Sequence, residues 1–278
     1  MLMFDGIEVD AHGRTDVGKV RKTNQDQFLV ASLRKVVDVH GTSIPRAYRD
    51  SFDSGARALL LLVADGVGGR PGGEVASSAT LDAVVSYVTN SMRCFYKLDE
   101  QIPTDLLAEL AEVVRKSHDV LLARGQEQPE SAGMATTLTM AHVLWPRAYI
   151  VQIGDSRCYH QRGGDLHQVT RDQTVGQDLI DHGALLPEEA ARSPYGHVLL
   201  QAIGGEHGVQ PVISRVDLER GDALLLCTDG LSKHVSDRAI AVAMTDTATA
   251  EDATQTLVAA ALEDGGSDNV TVVVGRFR

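Results

Sequence analysis

The chain has 278 residues, 43% of them hydrophobic and 4% aromatic, so it can bury a sizeable core packed mainly by aliphatic side chains. Its formal net charge of -12 argues against nucleic acid or an anionic membrane as the main partner. Three cysteines without a CxxC argue against a disulfide framework or a thiolate zinc site, "MLMFDGIEVD" lacks the features of a signal peptide, and no apolar run approaches the ~20 residues of a membrane span. These features predict a cytoplasmic protein with buried free thiols and no nucleic-acid or membrane partner.

In chain order, β patterns fall at 26–32 and 57–64 and helical patterns at 73–92 and 105–124. Strands follow at 136–144, 147–153, 157–161, 209–217 and 222–228, then a helix at 249–263 and a last strand at 269–276. The stripe at 105–124 runs through Leu106, Leu110, Val113, Val114 and Leu121, with Thr104 as its cap and Gly125 as its stop. His118 lies on that apolar face and reads as a packed side chain rather than a ligand. "GDS" at 154–156 is hairpin-sized, which predicts antiparallel pairing of its flanking strands; Gly163-Gly164 marks a second hairpin. Loops are expected around 40–55, 124–133 and 187–197. Helices in blocks between runs of antiparallel strands indicate an α+β fold, with helices covering the faces of a layered sandwich.

Five aspartates stand at strand ends. Asp26 opens a strand in "NQDQFLVA", Asp65 closes one in "LLLLVADG" and Asp155 sits in the 154–156 link. Asp229 closes a strand in "LLLCTDG", and Asp268 precedes the last one in "GGSDNVTVVV". A lone aspartate there is an ordinary turn residue. Two apolar runs that each deliver an Asp-Gly favour a metal site, because rigid elements hold ligands to tight tolerances. Converging carboxylates form an all-oxygen pocket that suits Mg²⁺ or Mn²⁺, and two such ions are an apparatus for hydrolysing phosphate esters. Arg21, five residues before Asp26, offers a guanidinium fork to a phosphate, although a solvated basic turn explains it equally well. The glycines of "GVGGRPGG" (66–73) lack the lysine of a P-loop and instead let backbone approach a metal, with the Gly66 carbonyl as a ligand.

In this order the motifs resemble the metal-dependent protein phosphatase family, the protein phosphatase 2C type, in its bacterial form. They are "RKTNQD" (21–26), "VADGVGG" (63–69) followed by Glu74, "GMATTL" (133–138), "GDSR" (154–157), "VTRDQT" (169–174), "LLQAIG" (199–204), "CTDGLS" (227–232) and "GGSDNVTVVV" (265–274). The resemblance implies a four-layer α-β-β-α sandwich of two packed antiparallel sheets. It implies one catalytic domain over 1–278, with a core at about 8–277 and a variable flap at about 174–200. It also implies Mg²⁺- or Mn²⁺-dependent hydrolysis of phosphoserine and phosphothreonine in proteins by attack of a metal-bridging water, with a Ser/Thr protein kinase as cognate partner. By motif match, Asp65 would bridge two metals and the Gly66 carbonyl would bind one of them. Asp229 and Asp268 would ligate the other, with Asp26 nearby. Arg21 would hold the substrate phosphate, and Asp155 would share a weaker third site with Asp229.

The sequence departs from the family pattern at Gln25, where many members have Glu, and at Val67, where eukaryotic members carry a histidine. Gln201 replaces a common arginine, and Lys233 falls where many members place an aspartate supporting the third metal. The lysine predicts an ammonium that partly replaces that third cation beside Asp155 and Asp229. Two other functions fit the residues: a catalytically weak regulator that binds phosphoproteins or a kinase, and a small-molecule phosphohydrolase.

Overall fold

Burial on both faces explains the two apolar runs. In the computed structural model, Leu59, Leu61 and Val63 pack against Leu224, Leu226 and Val273 in one core. The intervening Leu60 and Leu62 pack with Ala76, Val84, Leu110 and Val113 in a second. Leu225 and Cys227 pack with Leu257, Val258 and Ala261 in a third. A strand alternates its side chains between faces, so three stacked cores require apolar residues at every position.

The structure describes residues 2–4, 6–36, 53–67, 72–90, 104–127 and 132–278. It begins with β1 (Leu2–Phe4), β2 (Ile7–Asp16), β3 (Asp26–Val36) and β4 (Asp53–Asp65), followed by α1 (Gly73–Asn90) and α2 (Thr104–Glu127). Next come β5 (Leu138–Leu144), β6 (Arg147–Ile153), β7 (Arg157–Arg162) and β8 (Asp165–Gln168), then α3 (Val175–Asp181) and α4 (Pro187–Arg192). The chain continues through β9 (Val212–Asp217), β10 (Ala223–Cys227), α5 (Asp229–Ser232), α6 (Asp237–Asp246), α7 (Ala250–Glu263) and β11 (Val270–Phe277).

The strands make two layers. One runs β3-β4-β5-β6-β9 and the other β8-β7-β10-β11-β2, all antiparallel. β1 joins them, pairing antiparallel with β2 and meeting β4 in parallel at Phe4–Ala56. Helices α1 and α2 cover the first sheet, and the helices after β10 cover the second. This is the expected four-layer α-β-β-α sandwich.

Several local expectations change. The strands flanking Gly154-Asp155-Ser156 do not pair: β6 bonds to β5 and β9, while β7 bonds to β8 and β10. The three-residue link therefore crosses between sheets. The Gly163-Gly164 hairpin forms as expected, with both glycines at positive φ. α2 begins at Thr104, within one residue of the expected start, but runs past Gly125, because one glycine costs a long packed helix only about 1 kcal/mol. Pro187–Arg192 is helical rather than loop, with proline suited to the first turn. β2, α3, α5 and α6 carry no clear sequence signal of their own. The expected loop at 40–55 lies outside the described residues except for 53–55, which open β4; positions 91–92 and 128–131 also lie outside them.

His118 is packed as expected, its Nδ1 accepting from the Gly204 amide at 3.1 Å. Cys158 and Cys227 are buried free thiols, and Cys94 lies outside the described residues. No helix among the described residues is long and apolar enough to cross a membrane.

His142 on β5 is fully buried, and neither ring nitrogen has a hydrogen-bond partner among the described residues. Burial depresses its pKa to about 4. The unfolded chain takes up the proton near the ordinary value of 6.5, so the folded state loses stability as pH falls from there towards about 4. His142→Leu removes this dependence and two unpaired polar atoms. Urea denaturation of the variant should show a gain of about 1–3 kcal/mol at neutral pH and a larger gain at acid pH.

Candidate metal and phosphate site

Strand parity aims the acids. Phe28 and Val30 on β3, and Leu59, Leu61 and Val63 on β4, face the core between the sheets. Asp26 and Asp65 continue those same faces and are direct partners across the β3–β4 pair. Both reach the inter-sheet edge from the first sheet. Asp155 comes from the link between sheets, and Asp229 and Asp268 come from the second sheet, beside β10 and β11. Asp229 does not close the strand: β10 ends at Cys227, and Asp229 opens the short helix α5.

Asp65, Asp155, Asp229 and Asp268 line a cavity of about 470 Å³ together with Arg21, Gly66, Val67, His197 and Lys233. Asp26 lies behind it, 2% exposed. Its Oδ2 accepts from Thr228 and Thr271, each at 2.8 Å, while its Oδ1 has no partner among the described residues. Asp229 Oδ1 is likewise buried and unpartnered. The structure thus brings all the expected aspartates to one region.

The surrounding backbone is pinned. The Asp65 amide donates to Thr137 Oγ1 at 3.0 Å, and Thr136 Oγ1 donates to the Asp65 carbonyl at 2.8 Å. Thr137 Oγ1 also meets Ser156 Oγ at 2.7 Å, tying β4 to the inter-sheet link. Gly66 is required by space: a Cβ there would stand 2.4 Å from the Gly73 carbonyl oxygen. Asn269 accepts from the Gln25 amide and donates to the Val17 and Thr23 carbonyls, which holds the loop carrying Arg21. Arg157 forks onto Asp172 with bonds of 2.9 and 2.7 Å, bracing the chain just beyond Asp155.

Thr228, Thr271, Asn269 and the Arg157–Asp172 pair are absent from the sequence-derived site. Thr271 was accessible in principle, since it shares a strand face with Val273; the partners of the others become evident only in three dimensions. Val67 lines the cavity, while Gln201 turns to accept from the Gln210 amide at 2.7 Å.

Charge divides the site. Burial, reinforced by Asp229 and Asp268 against the two threonine bonds, raises the Asp26 pKa to about 7. Burial and then Asp229 raise Asp155 to about 7. Burial and the neighbouring acids Asp26, Asp229, Asp155 and Asp268 push Asp65 well above the carboxylate range. Asp268 behaves oppositely. Burial works to raise it, but the Arg21 hydrogen bond and the Lys233 ammonium prevail and hold it low. Arg21 grips Asp268 with both arms, at 2.8 and 2.9 Å. Lys233 contacts Asp229 at 2.5 Å and Asp268 at 3.1 Å. The lysine therefore forms its ion pairs with Asp229 and Asp268, and Asp155 forms none among the described residues. The Asp229 contact is the expected one, Asp268 is an added partner, and Asp155 feels the ammonium's charge without pairing with it.

Among the described residues, no three His, Cys, Asp or Glu side chains are already gathered tightly enough to hold an ion by themselves. The donor set nevertheless fits hard divalent cations: it is all oxygen, carries excess negative charge and leaves buried carboxylate oxygens unpartnered.

The family profile described as Protein phosphatase 2C matches residues 47–264. This chain belongs to the protein phosphatase 2C family. It is 42% identical over 226 residues, 81% of its length, to the serine/threonine protein phosphatase PstP of Mycobacterium tuberculosis. The match spans only 41% of PstP, so the chain covers about two-fifths of that relative. It is 33% identical over 261 residues to protein phosphatase PhpP of Streptococcus pneumoniae, covering 94% of both chains. Its fold matches the crystal structure of the PstP catalytic domain in complex with two manganese ions, with a TM-score of 0.75, 34% identity and 98% coverage of each chain. Family membership accounts for the order of motifs along the chain and for the sheet edge to which they lead.

The threonines around Asp26 give a test that needs no metal. Thr271→Val removes a donor to a carboxylate 2% exposed. The folded pKa of Asp26 lies above its unfolded value, so protonation stabilises the fold at low pH and that support is lost as pH rises through about 7. In EDTA, urea denaturation should show Thr271→Val costing about 1–3 kcal/mol near pH 8, with Asp26 ionised, and less near pH 5.

Proposed function

We propose that this chain is a metal-dependent phosphatase acting on phosphoserine and phosphothreonine in proteins. The observation that carries the reading is the convergence of Asp26, Asp65, Asp155, Asp229 and Asp268 on one sheet edge, with unpartnered buried oxygens on Asp26 and Asp229 and an arginine at the rim. The manganese pair named in the PstP structure supports the metal requirement. Asp65 would lie between two ions and the Gly66 carbonyl beside one; Asp229 and Asp268 would hold the other, with Asp26 behind them. Asp155 would join Asp229 in a weaker third site.

The ion pair, when bound, supplies a water activated for attack and positive charge against the phosphoryl oxygens. The chain's own residues do the rest. Arg21 stands beside the cavity with the fork geometry that binds two phosphate oxygens, and it would exchange Asp268 for substrate. The threonine donors keep Asp26 oriented, and the Thr136–Thr137 bonds fix the Asp65 backbone. Gly66 allows close backbone packing at the cavity wall, and Gly73 leaves room for the Gln25 side chain. Residues 174–200 would form the flap of a single catalytic domain spanning 1–278, with a core over about 8–277. His197, Val198 and Leu199 of that segment line the cavity. Substrates would be phosphorylated proteins, with a cognate Ser/Thr kinase as partner and a cytoplasmic site of action.

The test is phosphate release from a phosphothreonine peptide and from small phosphate esters, with Mn²⁺ or with EDTA. Turnover should require Mn²⁺, favour the peptide, and collapse in Asp229→Asn. Arg21→Ala should lower kcat/KM by about 10²-fold, the scale expected for loss of a donor to developing charge. No Mn²⁺-dependent turnover in the unmodified protein would overturn the reading, and a general preference for metabolite esters would redirect it to small molecules.

A further inference from the structure

The cations in the site are unevenly distributed. Asp268 is held by Arg21 and Lys233 together, and Asp229 by Lys233. Two acids therefore face two bases. Asp26, Asp65 and Asp155 form no ion pair among the described residues, so no fixed cation answers the other half of the site. An incoming divalent ion has no fixed positive charge to displace there. To reach Asp229 and Asp268, a second ion must compete with an ammonium already in place.

Local geometry keeps that ammonium close. Lys233 directly follows α5, four residues after Asp229, so the two side chains share one helical face. Its amide donates to the Asp229 carbonyl at 2.9 Å, fixing the base of the side chain. The Lys233 side chain is only 25% exposed and lies where two cavities meet, both lined by Asp155, His197, Asp229 and Lys233. A lysine so placed needs acid partners, and these two are at hand. The long stem also lets it leave, because the second cavity, of about 420 Å³, opens on the far side of Lys233 between α3, α4 and Asp172.

We propose that Lys233 is a built-in counter-ion for the Asp229–Asp268 half of the site, and that a second divalent ion occupies that half only by displacing it. The inference rests on the metal-dependent reading above. It makes metal loading sequential: the half containing Asp65 fills first, and the half guarded by Lys233 follows at higher concentration. It also makes the lysine a support of the metal-free fold, because Asp229 and Asp268 would otherwise repel each other.

Manganese binding to the full chain tests this, read by calorimetry and by electron paramagnetic resonance of free Mn²⁺, alongside thermal melting in EDTA. The unmodified protein should show two unequal classes of site. Lys233→Met should tighten the weaker class roughly tenfold, as expected for removing a close competing charge, and leave the tighter class nearly unchanged. The same variant should melt earlier in EDTA and gain more from saturating Mn²⁺ than the unmodified protein does. Lys233→Arg keeps the charge, should retain the weak class, and controls for loss of packing. Unchanged or weaker second-site binding in Lys233→Met would overturn the inference while leaving the functional reading intact. Absence of Mn²⁺ binding in every form would overturn both.

Discussion

Negative charge crowded into one low-dielectric edge is the constraint around which this fold is arranged. Five carboxylates are carried there by elements that have little freedom to move. β3 and β4 are buried on the inter-sheet side, the 154–156 link is three residues long, and β10 and β11 are packed on both faces. Such charge is tolerated only if protons, fixed cations or metal ions neutralise it. The chain itself eases this crowding in two ways. Burial and mutual repulsion raise the pKa values of Asp26, Asp65 and Asp155, while Arg21 and Lys233 answer Asp268 and Asp229. Binding chemistry is thus the relief of a tension that folding creates.

That tension also explains the many hydroxyl groups around the site. Thr15, Thr136, Thr137, Thr228, Thr271 and Ser156 form short bonds among themselves, to Asp26 or to the Asp65 backbone. Hydroxyls stabilise a carboxylate without cancelling its charge. Basic residues in those positions would have neutralised the donors that a divalent ion requires.

The sandwich and the identity of the acids were legible in the sequence because they depend on local rules. Four leucines before Ala64-Asp65, and three before Cys227, signal strands buried on both sides, and Asp-Gly after them marks where the strands stop. What escaped was relational. "GDS" has the length of a hairpin, but its flanks are claimed by different sheets, and strand length carries no information about partners. β2 alternates weakly because Gly13 leaves room for the Phe28 ring and His12 bonds Thr254, so neither residue looks like a strand signal. Lys233 was recognisable as unusual, yet its choice of Asp268 over Asp155 depends on two loops separated by 35 positions.

The crossing at Gly154-Asp155-Ser156 has a mechanical consequence. Asp26 and Asp65 ride on one sheet, Asp229 and Asp268 on the other, so the span between the two pairs of oxygens follows the spacing of the sheets themselves. Leu61, Leu226 and Val273 set that spacing from well inside the sandwich. A cation that demands short bonds, such as Mg²⁺ at about 2.0–2.1 Å, and one that accepts about 2.3–2.6 Å, such as Ca²⁺, would register a change of a few tenths of an ångström. If the acids hold ions as proposed, the greasy interior would be the caliper of the site, and the volume of a leucine far from any charge would enter into which ion the protein prefers.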